Sequence, residues 1–151
     1  IDFPREGNGW SYKYARRQWN LVDNEELCYH LLGDFDRKML EVVKSEKKFN
    51  ETPVQEIWHN DGDQIFAFSR GDLIFVFNFS PIRSYSDYGF LVPEGSYNVV
   101  LNTDAKEFGG YGFADDTVEH LTNADPLYAE DHKGWLKLYI PARSAVVLRK
   151  K

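Results

Sequence analysis

The spacing of apolar residues changes near Pro53. Before it, apolar side chains recur every three to four positions, as in amphipathic helices, and after it they alternate, as in strands. Asp23, followed three positions later by Glu26, predicts a helix start, and Gly33 predicts the end of that helix. Asp34 can cap a second helix, whose apolar stripe is formed by Phe35, Met39, Leu40 and Val43.

Seven short strands are predicted after Pro53, separated by turn signals such as Pro93-Glu94-Gly95. They cover residues 54–58, 64–68, 73–79, 89–92, 97–101, 135–140 and 145–149. Strands that follow one another without helices between them predict an antiparallel β-sandwich or a partly closed barrel. Residues 103–133 are predicted to be irregular, and a loop of that length is usually functional or packed on a partner.

The most apolar part of the predicted sheet is a hairpin over residues 64–80, with its turn at Arg70-Gly71. The second arm is apolar on both faces, with Leu73, Phe75, Phe77 and Phe79 on one and Ile74 and Val76 on the other. Such a strand is expected to be covered on both sides. We therefore expect Phe75 and Phe77 to lie in the sandwich interior.

Composition and charge restrict the function. The 151 residues include 18 Lys+Arg and 24 Asp+Glu, and the net charge of −6 argues against general nucleic-acid binding. Cys28 is the single cysteine, so an intrachain disulfide is impossible and a reducing, intracellular setting fits. No apolar run approaches a membrane span, and the absence of an initiator methionine and of a signal-peptide pattern leads us to expect a piece of a longer protein.

The sequence predicts no metal or cofactor site. The four histidines have no spacing typical of metal ligands, and neither Asp61-Gly62-Asp63 nor Asp115-Asp116 carries the ligand ladder of a calcium loop. No serine lies in a Gly-x-Ser-x-Gly elbow, and no Lys-Ser/Thr pair follows the glycine-rich residues 109–112.

Aromatic and basic side chains are interleaved in the first twenty residues, where Trp10 and Tyr12 lie close to Arg17. Aromatic faces attract the C–H side of a pyranose ring, and flanking polar groups can bind its hydroxyls. Two interpretations stay open for this segment. Its aromatic residues bind a planar or sugar ligand, or they pack against a part of the protein outside this sequence.

Several sequence blocks, in order, resemble the 1,4-α-glucan branching enzymes of the α-amylase superfamily. They are residues 2–19 (DFPREGNGWSYKYARRQW), followed by Asn20-Leu21-Val22-Asp23, then Phe35-Asp36-Arg37, residues 70–79, residues 84–88 (SYSDY), Asn102-Thr103-Asp104-Ala105, Glu107-Phe108-Gly109-Gly110 and residues 141–147. The resemblance implies that residues 1–52 end a (β/α)8 catalytic barrel with its last loop and helices, and that residues 53–151 form the C-terminal all-β sandwich.

The resemblance also implies a function for the parent protein. Such enzymes cut an α-1,4-glucan and transfer the cut chain to a 6-hydroxyl through a covalent glycosyl-enzyme. Their aspartate nucleophile and glutamate acid/base come from barrel strands that match no residue of this sequence, so we expect the chain alone to be inactive. The implied partners are glycogen or amylose, bound through the parent, and the barrel itself, with no nucleic acid or membrane, and the implied compartment is the cytoplasm.

Family resemblance places the first segment after the last barrel strand, where loops line the active site. Trp10, Tyr12 and Arg17 are therefore the candidate glucan-binding residues. Two alternatives to a branching-enzyme fragment stay open: a stand-alone carbohydrate-binding sandwich, and an immunoglobulin-like interaction domain that uses the Arg70-Gly71-Asp72 turn.

Overall fold

The computed structural model describes residues 19–151, in which strands predominate. Among residues 19–151, one α-helix, α1 (Tyr29–Ser45), precedes nine strands. The strands are β1 (Gln55–Asn60), β2 (Ile65–Arg70), β3 (Leu73–Asn78), β4 (Tyr85–Pro93), β5 (Ser96–Asn102), β6 (Glu119–Leu121), β7 (Asn123–Ala124), β8 (Lys133–Ile140) and β9 (Ser144–Lys150). Short 3-10 turns occupy Trp19–Leu21, Lys106–Phe108 and Pro126–Tyr128. No helix of this part is long and apolar enough to cross a membrane.

The strands form two antiparallel sheets, which confirms the predicted mainly β, antiparallel sandwich. One sheet has six strands in the order β1-β2-β3-β9-β5-β6, and the other has three in the order β4-β8-β7. All seven predicted strands are present, and residues 103–133 add the two short strands β6 and β7. β4 begins at Tyr85, four residues before its predicted start, and its pairing with β8 is irregular between Tyr85 and Tyr88, where Asp87 has a φ of +58°.

The main core lies between the two sheets. From the six-stranded sheet it takes alternate apolar residues of β2, β3 and β9, and from the other sheet alternate residues of β4 and β8. Its largest members are almost completely shielded from water: Ile65, Val76, Phe90, Tyr97, Leu136, Ile140 and Leu148. Removal of each large aliphatic side chain from water contributes roughly 1.5–3 kcal/mol, so this layer dominates the stability of the fold.

The prediction that Phe75 and Phe77 lie in this interior is wrong. On β3 it is Ile74 and Val76 that point between the sheets, and the alternation of side chains places both phenylalanines on the outer face of the six-stranded sheet. There Phe75 packs with a second, smaller core below α1, which is centred on Val42. Both faces of β3 are apolar because one faces the three-stranded sheet and the other faces the side of the sheet on which α1 lies.

The predicted pair of helices is one helix that begins at Tyr29, so the predicted start at Asp23 with Glu26 and the predicted end at Gly33 are both wrong. α1 runs through Gly33, Cys28 at its N-cap gives no side-chain hydrogen bond, and Asp34 accepts from Arg37 Nη1 (2.7 Å) rather than capping a helix. A glycine inside a helix costs roughly 0.5–1 kcal/mol relative to alanine, which is less than the helix gains by packing. Leu31, before Gly33, lies next to Gly109, and Phe35 and Val42, after it, pack against the sheet. The end of α1 is tied to β9 by Arg149 Nη2, which donates to the carbonyl oxygen of Val42 (3.3 Å).

The hairpin turn contains Gly71 as predicted, but its two loop residues are Gly71 and Asp72 rather than Arg70 and Gly71. Gly71 has a φ of +63°, which glycine adopts without strain. The neighbouring Arg70 is engaged by the protein itself, because its guanidinium lies 4.3 Å from the centre of the Phe49 ring and its Nε donates to the carbonyl of Thr52 (3.2 Å). These contacts give the Arg70-Gly71-Asp72 tripeptide a structural role in the turn.

Candidate functional site

The predicted glucan-binding residues Trp10, Tyr12 and Arg17 lie outside the described residues, so their role stays a prediction. Candidate sites within residues 19–151 must therefore be sought elsewhere. No group of three or more His, Cys, Asp or Glu side chains in that range is arranged to hold a metal ion.

A small cavity of about 110 Å³ is lined by titratable side chains, among them Asp116 and His120, and by apolar residues such as Val99 and Leu138. Burial raises the pKa of the Asp116 carboxyl and lowers the pKa of the His120 imidazole. Burial therefore favours the uncharged form of both groups. Asp116 also accepts a hydrogen bond from Asn102 Nδ2 (2.7 Å), which ties the loop to the end of β5.

A buried carboxylate organises the glycine-rich loop after β5. Asp104 accepts hydrogen bonds from the backbone amides of Tyr111 (3.1 Å) and Phe113 (2.6 Å). A Cβ at Gly110 would lie 2.2 Å from the backbone of Asp104, so only glycine fits there. The loop displays Tyr111, 72% exposed, stacked on the ring of Phe113 with centroids 5.3 Å apart.

A polar network joins the edges of the two sheets around Asp63. Tyr88 donates to Asp63 Oδ2 (2.9 Å), and Tyr85 donates to the backbone carbonyl of Asp63 (2.9 Å). Trp58 Nε1 in turn donates to Tyr88 Oη (3.0 Å), which connects β1 to β4. Burial raises the pKa of Tyr88, and the charge of Asp63 raises it further, so the phenol remains a neutral donor at physiological pH. The sequence assigns Asp63 to a turn, and nothing local indicates its partners, which lie more than twenty residues away.

A row of phenylalanine rings lies on the outer side of the six-stranded sheet. Phenylalanine rings follow one another there, with neighbouring centroids 4.7 to 6.3 Å apart, in the order Phe49, Phe75, Phe68, Phe77 and Phe79. We call these five residues the phenylalanine row. The last of them, Phe79, is 63% exposed.

α1 lies on the same side of that sheet and has two apolar faces. Phe35 and Val42 pack against the sheet. Tyr29, Leu32, Met39 and Leu40 are exposed, and at 3.6 residues per turn they fall on one stripe centred roughly 100° around the helix from Phe35 and Val42. We call these four residues the outer stripe of α1. The sequence shows three of its members as apolar positions, but it does not show that a second stripe faces the sheet.

Comparison with known proteins shows which family this architecture represents. The family model described as alpha amylase, C-terminal all-beta domain, matches residues 57–151. This span runs from β1 to the end of the chain and includes both sheets. The chain belongs to this family.

Relatives of this all-β family member share more than the sandwich. A protein named 1,4-alpha-glucan-branching enzyme in Saccharomyces cerevisiae is 43% identical over 149 residues, 98% of this chain and 21% of its own length. One of the same name in Solanum tuberosum is 40% identical over 150 residues, 97% of this chain and 17% of its own length. A third, in Oryza sativa subsp. japonica, is 44% identical over 130 residues and is named chloroplastic/amyloplastic. The chain thus spans about a fifth of the length of the curated relatives it matches.

Proposed function

We propose that this chain is the non-catalytic C-terminal region of a 1,4-α-glucan branching enzyme, and that it supports the catalytic barrel of that enzyme by packing against it. The parent would form α-1,6 branches in glycogen or starch. Similarity to proteins of that name over nearly all of the chain supports the proposal. We also propose that residues 1–52 belong to the barrel and residues 53–151 to the sandwich, and the family match over residues 57–151 supports the second part.

The observation that carries the supporting role is the outer stripe of α1. A helix that is apolar on one face buries that face, and a helix that is apolar on two faces needs cover on both. The sheet covers one face, while Leu32 on the other is 65% exposed. Large exposed apolar patches mark sites where proteins pack together.

The phenylalanine row extends the same surface. It continues across β3 and β2 on the side of the sheet where α1 lies. We infer that one body covers both surfaces, because both lie on this side of the sheet. We assign both surfaces to the rest of the barrel, since the resemblance places the barrel strands before this chain.

A pair of matched substitutions tests this assignment. Leu32→Glu should change the free energy of unfolding of the 151-residue chain by less than about 0.5 kcal/mol, because the side chain is exposed there. In the whole parent the same change should lower the melting temperature clearly, because it would bury an unpaired charge. Leu127→Glu is the control, since Leu127 is 84% exposed in a turn next to the three-stranded sheet. Equal effects of the two substitutions in the parent would contradict the packing.

Catalysis is assigned to the part of the parent before this chain. Glycosyl transfer with retention needs a nucleophile and an acid/base, and the resemblance maps neither onto these residues. The purified chain should therefore produce no α-1,6 branch points from amylose, measured by iodine staining and debranching. A reproducible gain of branch points would overturn this assignment.

We also retain Trp10, Tyr12 and Arg17 as candidate contacts of the parent's glucan groove. The support is their composition and their implied position after the last barrel strand. Trp10→Ala and Tyr12→Ala in the parent should lower kcat/KM on amylose without lowering the melting temperature. If kcat/KM is unchanged, or falls only together with the melting temperature, these residues serve packing.

The cytoplasm is our proposal for the parent's compartment. Its support is the single cysteine, which suits a reducing setting. The rice relative, in contrast, is named for plastids. Fractionation of cells that express the tagged parent tests the compartment.

A further inference from the structure

An open cleft of about 360 Å³ lies where the edge strand β1 passes β4, and it reaches the exposed face of the three-stranded sheet. This is within the range of roughly 300–1,000 Å³ that is typical of small-molecule sites. Two tryptophans line it, Trp58 from β1 and Trp135 from β8, together with Leu91. Trp58 is 38% exposed.

The indole N–H of each tryptophan is already bound by the protein. Trp58 Nε1 donates to Tyr88 Oη (3.0 Å), and Trp135 Nε1 donates to Asp125 Oδ2 (2.9 Å). These bonds restrict the rotation of the rings, so little conformational entropy remains to be lost when a ligand stacks on them. The side of Trp135 is supported as well, because a Cβ at Gly89 would lie 3.4 Å from its Cε3.

Polar side chains surround the two rings. Gln55 and Glu56 lie at the β1 side of the cleft, and Lys133 lies at the β8 side. All three are exposed, so they can turn toward a ligand. One acidic and one basic group leave the cleft without a dominant charge, which suits a neutral ligand rich in hydroxyl groups better than an anion.

We propose that this cleft binds a segment of α-1,4-glucan, with pyranose rings stacked on Trp58 and Trp135. The choice of α-glucan rests on the proposed function, and the site itself rests on the two fixed indoles and their polar rim. The cleft does not include the phenylalanine row or the outer stripe of α1, so it is a separate surface from those two. Its role would be to hold the substrate polymer near the parent enzyme.

The test is a titration of the ¹⁵N-labelled 151-residue chain with maltoheptaose, followed by NMR at the indole N–H signals. The signals of Trp58 and Trp135 should shift together and saturate, while cellohexaose, with its β-1,4 links, should shift neither. Trp58→Ala and Trp135→Ala should each weaken binding about tenfold. Tyr111→Ala is the matched control, because it removes an exposed, stacked ring outside the cleft and should leave binding unchanged.

Thermal melts of each variant show whether it is folded. If a tryptophan variant unfolds, the double variant Gln55→Ala with Glu56→Ala replaces it. Both side chains are exposed, so their removal should leave the chain folded and weaken binding of maltoheptaose. The inference is overturned if maltoheptaose produces no saturable shift, or if tryptophan or rim variants that remain folded bind like the unsubstituted chain. Equal binding of cellohexaose would overturn the specificity for α-glucan. A parent that branches amylose while the chain fails to bind would refute this inference alone and leave the proposed function intact.

Discussion

Replacing Gly33 with alanine should stabilise the chain. Gly33 lies inside α1 (Tyr29–Ser45), and a Cβ there would meet only Val22 Cγ1, at 4.0 Å. Without a clash, the change should increase the free energy of unfolding by the difference in helix propensity, about 0.8–1.0 kcal/mol. For a chain of this size that corresponds to a rise in melting temperature of roughly 2–4 °C. If Gly33 ended a helix in the left-handed conformation, alanine would instead cost roughly 1–2 kcal/mol.

Chemical denaturation of the 151-residue chain measures this difference, and Gly71→Ala is the matched control. Gly71 has a φ of +63°, and a Cβ there would lie 3.0 Å from Glu46 Cγ. That substitution should therefore destabilise the chain by about 1 kcal/mol or more. The critical result is that the free energy of unfolding rises with Gly33→Ala and falls with Gly71→Ala. A destabilised Gly33→Ala variant would refute the continuous helix.

Three further predictions concern single side chains. Asp104→Asn should cost about 1.5–3 kcal/mol in chemical denaturation, because an amide group has only one acceptor oxygen and its NH2 cannot accept from the second backbone N–H. A loss near zero would contradict the role of Asp104 in the loop. Leu136→Ala should lower the free energy of unfolding by about 2–5 kcal/mol and Phe79→Ala by far less in this chain, since Leu136 is fully buried and Phe79 is exposed. A larger loss for Phe79→Ala would mean that the core is misplaced. Burial raises the pKa of Tyr97 from an ordinary value of 10.0 to about 12, so its contribution to stability is complete below about pH 10 and is lost as the pH rises toward 12. Denaturation across this pH range should show the loss, and Tyr97→Phe should reduce it.

Strand positions were predictable because their signals are local. Alternating apolar residues and turn residues such as Gly71 act on neighbouring positions, and all seven predicted strands are present. β4 begins earlier than predicted because its alternation is broken near Asp87, whose positive φ shifts the pairing with β8. A local irregularity of this kind leaves no regular pattern to recognise.

The orientation of β3 was not predictable from the sequence. Both faces of this strand are apolar, so periodicity alone does not distinguish the face toward the sandwich interior from the face toward α1. In the structure Ile74 and Val76 are buried against the three-stranded sheet, and Phe75 and Phe77 therefore lie on the outer face. The prediction that Gly33 ends a helix failed for a similar reason. The free-energy cost of one glycine in a helix is small compared with the stabilisation that the helix gains by packing on the sheet.

By itself, the sequence determined the all-β sandwich, its strands, its central hairpin turn and the resemblance to branching enzymes, since these depend on residues close together in the chain or on motifs in a fixed order. Only the tertiary structure decided which surfaces remain uncovered and which distant side chains meet. Trp58 and Trp135 belong to different sheets, and their shared cleft exists because β1 passes β4 at the sandwich edge. Likewise, only the structure shows that Phe35 and Val42 pack on the sheet while the outer stripe of α1 is left exposed. Contacts between distant parts of a chain depend on how its elements pack, and a local pattern carries no record of that packing.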